Sequence, residues 1–153
     1  MIDNRSLNLK LSQTQISQLC NRRFGIGADG LILLEVNDET VQMVYFNSDG
    51  APSSMCGNGG RCFVDFCQQL EVMSDQGEFL AVDGMHSFKM ENGLVSLKMA
   101  DVSRIESIGD AVYLDTGSPH YVTIVEDVLE IDILTDARKI RYNNRFTGKG
   151  TNV

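Results

Sequence analysis

The sequence of 153 residues lacks tryptophan, holds only two prolines, and has no apolar run near the length of about 20 residues that a membrane-spanning helix needs. Basic residues are also few, since 13 lysines and arginines stand against 21 acidic residues, giving a net charge of −8. An acidic protein is a poor partner for nucleic acid or an anionic membrane, and suits the handling of small molecules. Met1–Arg5 lacks the apolar segment of a signal peptide.

The four cysteines form no Cys-x-x-Cys pair, and the two histidines are distant from them in sequence. A structural zinc site is therefore not expected, although a metal-binding domain remains an alternative that zinc analysis would test. Free thiols in a reducing cytoplasm are the default expectation for such a chain.

The stretch around Cys56 carries the clearest chemical signal. A strand-like run, Val41–Phe46, leads into a turn rich in Asn, Asp and Gly, and a short loop then ends at Cys56. Four small residues follow, and Arg61–Leu70 is predicted as a helix. A sulfur at a helix N-terminus faces unpaired N–H groups and the positive end of the helix dipole, which favour the thiolate. Cys56 is therefore a candidate nucleophile or base.

The flanking sequence predicts a core helix and several strand pairs. The apolar stripe of Arg61–Leu70 marks this helix as a core helix, and we expect Cys62 and Cys67 to pack in the protein interior. A preceding helix, Leu9–Cys20, has Ser12 and Gln15 as a capping box. The remaining predicted strands are Leu31–Val36, which pairs with Val41–Phe46 as a hairpin, then Phe79–Val82, His86–Met90, Leu94–Met99, Ala111–Leu114 and Tyr121–Val125. His86 is expected to be structural.

Two further patterns set the organisation of the chain. Gly25–Gly30 matches Gly-x-Gly-x-x-Gly, but a helix precedes it and a strand follows it, the reverse of a dinucleotide-binding unit. Residues 100–109 lose the apolar period and read as a connection. We therefore predict two domains, residues 1–100 and residues 101–153, with a helix capped by Asp132 in the second.

Asn47-x-Asp49-Gly50, five residues, and then Cys56-Gly57-Asn58-Gly59-x-Arg61-Cys62 resembles the first active-site segment of the diaminopimelate epimerase family. These enzymes are cofactor-independent amino-acid epimerases. Thr116–His120 is similar to the family's Gly-Asn-Pro-His segment, with Ser118 replacing the commoner Asn. Gly150–Val153 is similar to a segment whose Asn contacts substrate.

The resemblance implies an α+β fold in which a mixed or antiparallel sheet wraps around a central helix, with a second, pseudo-symmetric domain. It implies interconversion of LL- and meso-diaminopimelate, in lysine and cell-wall precursor biosynthesis, by two cysteine bases and no cofactor. Cys56 would be one base and His120 would tune the thiols. The residues that would bind the amino acid are Asn47, Gly57, Asn58 and Asn152.

The sequence departs from the family in three segments. The family's opening Gly-Asn-Asp-Phe, its Glu-Arg pair and its second Cys-Gly-x-Gly are absent from these 153 residues. The chain thus resembles a first domain short of its first strand, followed by the start of a second. Inversion needs an acid and a base on opposite faces of the α-carbon, so we expect little or no activity from this chain alone.

Other interpretations stay open. One is a related proline or hydroxyproline racemase or a phenazine-pathway isomerase, although Asn58 weighs against the racemases and Cys56 against the isomerase. Another is a non-catalytic domain that binds a ligand or dimerises. Pairing of two chains as a homodimer is left open, and the partner that the resemblance implies is a small-molecule amino acid, diaminopimelate.

Overall fold

Strands and helices are sequentially intermixed in the computed structural model, which describes residues 1–148 and 150–153. The chain divides into two compact units, residues 1–99 and residues 100–153. The elements of the first unit are β1 (Ile2–Asp3), α1 (Gln13–Cys20), β2 (Gly30–Asn37), β3 (Thr40–Asn47), α2 (Gly57–Gln69), β4 (Gln76–Ala81), β5 (Gly84–Glu91) and β6 (Leu94–Leu97). Those of the second are β7 (Ile105–Ile108), β8 (Ala111–Asp115), β9 (Pro119–Thr123), a 3₁₀ turn (Val128–Glu130) and α3 (Ile133–Arg141). The predicted α+β class is confirmed.

The first unit is built on a mixed sheet with the strand order β1-β2-β3-β4-β5-β6. The pairs β1–β2 and β3–β4 are parallel, and the other pairs are antiparallel. The predicted β2–β3 hairpin is present in full register, from Gly30 opposite Asn47 to Asn37 opposite Thr40. The two-residue strand β1 was not predicted from the sequence.

Helix α2 supplies the core of the first unit, as predicted. Phe63, Val64 and Cys67 have no exposed surface, and the Phe63 ring lies 5.1 Å from that of Phe79 on β4. Ile32 and Leu34 of β2 belong to the same cluster. Ile32 and Leu34 alternate along β2, so both lie on the sheet face against which the central helix packs.

Helix α1 covers a second apolar cluster. Its buried residues Ile16 and Cys20 pack with Leu31 and Leu33, which alternate along β2 with the residues that face α2. Strand β2 is thus buried on both faces, which explains its nearly continuous apolar sequence. The predicted capping box between Ser12 and Gln15 is confirmed, although the helix begins at Gln13 rather than Leu9.

The second unit contains a three-stranded antiparallel sheet, β7-β8-β9. The prediction that residues 100–109 are a plain connection is wrong, because Ile105–Ile108 pairs with β8. Asp132 caps α3 as predicted, its carboxylate accepting a hydrogen bond from the Thr135 N–H at 3.2 Å. No helix among the described residues is long and apolar enough to cross a membrane.

Candidate active site

Cys56 lies at the N-cap of α2, and its sulfur accepts a hydrogen bond from the backbone N–H of Gly59 at 3.4 Å. Its backbone is extended, with φ −119° and ψ 118°, so the chain enters the helix directly after the thiol. The first helical bond runs from the Gly60 N–H to the Cys56 carbonyl at 2.7 Å. The half-buried sulfur therefore faces the donor groups of the first turn.

The prediction that α2 begins at Arg61 is wrong by four residues, because the glycine-rich segment itself is helical. The reason is close packing against the sheet. A Cβ on Gly60 would lie 2.6 Å from Met55 Cε and 2.8 Å from Leu97 Cδ2, and one on Gly59 would lie 3.2 Å from Ile32 Cδ1. Small residues here let the first turn seat itself on the strands, which compensates for the low helix propensity of glycine.

The charges of the first turn also suit an anion. The turn contains no acidic residue, and the Arg61 guanidinium donates a hydrogen bond to the side-chain oxygen of Asn58. Gly57 is half-buried and Asn58 is exposed at the start of the helix. Cys56, Gly57 and Asn58 are consecutive, so the structure places three of the six predicted site residues at one helix end.

Asn47 ends β3 and opens a tight turn. Its N–H donates to the Ala51 carbonyl and its carbonyl accepts from the Gly50 N–H, both at 2.9 Å. Gly50 has φ +80°, and a Cβ there would lie 2.1 Å from the Gln13 carbonyl oxygen of α1. The chain then returns along β3 through a bridge between Phe46 and Pro52. Asn47 is thus fixed by its backbone, with its side chain exposed.

A cleft of about 140 Å³ lies along this returning segment. Tyr45, Ser53 and Met55 are among the residues that line it, together with Gln42 and Val82. Met55 is buried and immediately precedes Cys56. Cys56 is therefore adjacent in sequence to a residue that lines a small cleft in the first unit.

The second unit brings together the other two predicted site residues. His120 and Asn152 form a parallel β-bridge, with the Tyr121 N–H donating to the Asn152 carbonyl at 2.7 Å. His120 Nδ1 lies 2.7 Å from the carbonyl oxygen of Ser118. Since a carbonyl only accepts, Nδ1 carries the proton, and Nε2 of the neutral ring is left as an acceptor.

Both residues line an apolar groove of about 420 Å³ beside β9 and α3. Ala137 and Ile140 of α3 also line it and are half-buried. In this groove of the second unit, the polar residues His120 and Asn152 lie beside an apolar surface.

The other cysteines differ from Cys56 in their surroundings. Cys67 is fully buried, and burial raises the pKa of its thiol to about 12, which keeps it protonated. Cys20 is also buried. The prediction that Cys62 packs inside is wrong, because it is exposed on α2. Among the described residues, no group of three or more His, Cys, Asp or Glu side chains could hold a metal ion.

No functional role was predicted for Tyr45, which the structure places beside the site. Burial, followed by the charge of Cys56, raises the pKa of the Tyr45 hydroxyl. Its only sequence signal was the period-two alternation with Met43, which is typical of any half-buried strand. The contacts that distinguish Tyr45 are with residues of another strand, so the local sequence does not reveal them.

Comparison with known proteins gives a consistent family match. The family model described as diaminopimelate epimerase matches residues 1–114. A diaminopimelate epimerase of Flavobacterium psychrophilum is 45% identical over 157 residues, which cover 100% of this chain and 61% of that protein. One of Chlorobaculum tepidum is 36% identical, covering 100% of this chain and 63% of that protein.

A diaminopimelate epimerase of Aquifex aeolicus is 35% identical, with 90% of this chain and 54% of that protein covered. The chain therefore spans roughly three fifths of the length of the relatives it matches.

Proposed function

Because this chain belongs to the diaminopimelate epimerase family, we propose that it supplies one acid–base group of an amino-acid epimerase, and that this group is Cys56. The substrate proposed is diaminopimelate, which the names of the relatives carry, and the reaction is exchange of the α-proton between LL and meso forms. The supporting observation is the sulfur of Cys56 at the N-cap of α2, 3.4 Å from the Gly59 nitrogen.

The geometry suits proton abstraction without a cofactor. The Gly59 N–H donates a hydrogen bond to the Cys56 sulfur, and the same helix end can oppose the negative charge that develops on the substrate carboxylate. In this proposal Gly57 and Asn58 offer N–H groups to the carboxylate, and Asn47 binds another polar group of the amino acid. For Asn152 and His120, which lie in the second unit, the family resemblance supports the proposed roles of substrate contact and of a residue that tunes a thiol.

Inversion also needs a group on the opposite face of the α-carbon. Cys20 and Cys67 are buried. Cys62 is six residues beyond Cys56 on α2, which corresponds to about 9 Å along the helix axis. None of these three can bracket a carbon that Cys56 contacts. We therefore expect the chain alone to convert LL-diaminopimelate to the meso form little or not at all.

Selective alkylation tests the central claim. The thiolate is the form that iodoacetamide alkylates, and near pH 7 a free thiol is only a few per cent thiolate. Because a helix N-terminus favours the thiolate, Cys56 should react at least about tenfold faster than the exposed Cys62. Peptide mass spectrometry measures both rates in one sample, and Cys62 is the matched control on the same helix. Equal rates for the two cysteines would refute the proposed role of Cys56.

A substrate panel tests the assignment of the amino acid. LL-diaminopimelate should slow the alkylation of Cys56, whereas L-proline at the same concentration should leave it unchanged. Protection by proline alone would favour a related racemase. Chiral chromatography of the reaction mixture measures turnover, and clear formation of meso-diaminopimelate would disprove the expectation of low activity.

A further inference from the structure

Tyr45 lies on the face of β3 that the helix α2 covers. Its side chain is half-buried and packs against the α2 core cluster, and its register partner on β2 is Ile32. The Ile32 Cδ1 atom lies 3.2 Å from the place of a Cβ on Gly59, whose N–H holds the Cys56 sulfur. The cross-strand neighbour of Tyr45 is therefore Ile32, the side chain that packs under the helical turn whose N–H contacts the Cys56 sulfur.

The ring of Tyr45 extends across the start of β2 at Gly30. A Cβ on Gly30 would lie 2.5 Å from Tyr45 Cε2, 2.9 Å from its hydroxyl oxygen and 2.5 Å from the Phe46 carbonyl oxygen. Gly30 pairs directly with Asn47, which lies on the same face of β3 as Tyr45 because faces alternate along a strand. The phenol thus occupies the space that a side chain at position 30 would fill, next to Asn47.

The electrostatics agree with this placement. Burial, then the charge of Cys56, and then that of Asp29 raise the pKa of the Tyr45 hydroxyl. Asp29 itself is paired with Arg22 at 2.5 Å. A hydroxyl that stays protonated is a neutral group that can donate one hydrogen bond.

We propose that Tyr45 is a ligand-binding residue, whose hydroxyl donates a hydrogen bond to a carboxylate held beside the first turn of α2. A carboxylate fits because the first turn of α2 offers N–H groups, has Arg61 nearby and contains no acidic side chain, while the charge of Asp29 is paired with Arg22. The inference rests on the proposed function, since it takes Cys56 as the reactive group of the site.

Two alkylating reagents of nearly equal size test the proposal. Iodoacetate carries a carboxylate and iodoacetamide does not, so the ratio of their rates at Cys56 reports recognition of the carboxylate. Any change in the thiolate fraction cancels from this ratio. In Tyr45→Phe, which keeps the ring over Gly30, the ratio at Cys56 should fall by about threefold to tenfold, as expected for losing a hydrogen bond to a charged group.

Cys62 in the same molecule is the control, and its ratio should not change in Tyr45→Phe. An unchanged ratio at Cys56, or an equal fall at both cysteines, would overturn the role of Tyr45. The two proposals fail separately. Equal iodoacetamide rates at Cys56 and Cys62 in the unsubstituted protein refute the role of Cys56, whereas the reagent ratio refutes only that of Tyr45.

A second measurement needs no substitution at Tyr45. In protein labelled with 3-fluorotyrosine, Tyr45 is the single tyrosine within residues 1–99. Its ¹⁹F resonance should differ between protein carboxymethylated and protein carbamidomethylated at Cys56, because only the first adduct carries a carboxylate. A spectrum with four tyrosine signals at the same positions for both adducts would contradict the contact even if Tyr45→Phe failed to fold.

Discussion

Phe63 anchors the helix that carries Cys56, and its removal should be costly. The side chain has no exposed surface, and its ring meets Phe79 at 5.1 Å between centroids and an angle of 56°. Replacing a buried phenylalanine by alanine removes its apolar surface from the core and leaves a cavity, at a cost of about 3–5 kcal/mol. Since a domain is stable by only about 5–15 kcal/mol, Phe63→Ala should lose a large part of its stability.

The measurement is urea unfolding followed by far-UV circular dichroism, because the protein has no tryptophan for fluorescence. In a thermal scan of the same circular dichroism signal, each kcal/mol corresponds to about 4–8 °C for a unit of this size, so the melting temperature should fall by at least about 12 °C. Val82→Ala is the control, since Val82 is 72% exposed and its truncation should change stability by at most about 0.5 kcal/mol. A difference below about 1.5 kcal/mol between the two variants would refute the anchoring role.

Two further outcomes follow from the backbone and from a buried histidine. Gly50→Ala should destabilise the protein by about 1–3 kcal/mol more than Gly93→Ala in the same urea assay. Both residues have positive φ, at +80° and +75°, but only Gly50 has a carbonyl oxygen, that of Gln13, 2.1 Å from its added Cβ. His86 is buried, and although burial opposes it, hydrogen bonds to Asp83 and to the Lys98 carbonyl raise its pKa. The stabilisation of wild type over His86→Gln should therefore be full below about pH 6.5 and decline as pH rises through the folded pKa.

The controls for these outcomes lie within the same chain. Equal losses for Gly50→Ala and Gly93→Ala would show that strain alone, without the clash, sets the cost. For His86, both ring nitrogens face oxygen acceptors, at 2.9 Å and 3.0 Å, so the doubly protonated ring satisfies both. A stability difference that grows between about pH 6 and pH 9 would contradict this sign.

Local sequence signals predicted the parts of the fold that depend on neighbouring residues. The capping box of Ser12 and Gln15 is one example, and the hairpin of β2 and β3 is another. The buried strand β2 also followed from its apolar sequence. Each depends on contacts within a few residues or on burial of both faces, which composition records directly.

The predictions that are wrong mostly concern segments whose structure depends on tertiary contacts. Glycine has low helix propensity, so Gly57–Gly60 read as a loop, yet contacts with Met55 and Leu97 seat the segment as a helical turn. Strand β7 has the sequence Ile-Glu-Ser-Ile, which lacks alternation and forms a strand because β8 pairs with it. Cys62 could have been placed correctly, since it lies about 100° around the helix from Phe63.

The candidate site shows the same division. The position of Cys56 before a helix was readable from residue order, whereas Tyr45 was not, because its meaning depends on Gly30 across the hairpin. The glycines near the thiol are explained by packing: Gly59 against Ile32, Gly60 against Met55, and Gly30 under Tyr45. Glycine in these places permits close contact and does not imply mobility.

This packing has a consequence for the chemistry. Donor groups stabilise a developing charge most effectively when they are already in position and need not reorganise during the reaction. The first turn of α2 is held from below by Ile32 and Leu97, so the Gly59 N–H is fixed against the Cys56 sulfur before any substrate arrives. A larger residue at position 59 or 60 would lift the turn from the sheet and move that donor away from the Cys56 sulfur.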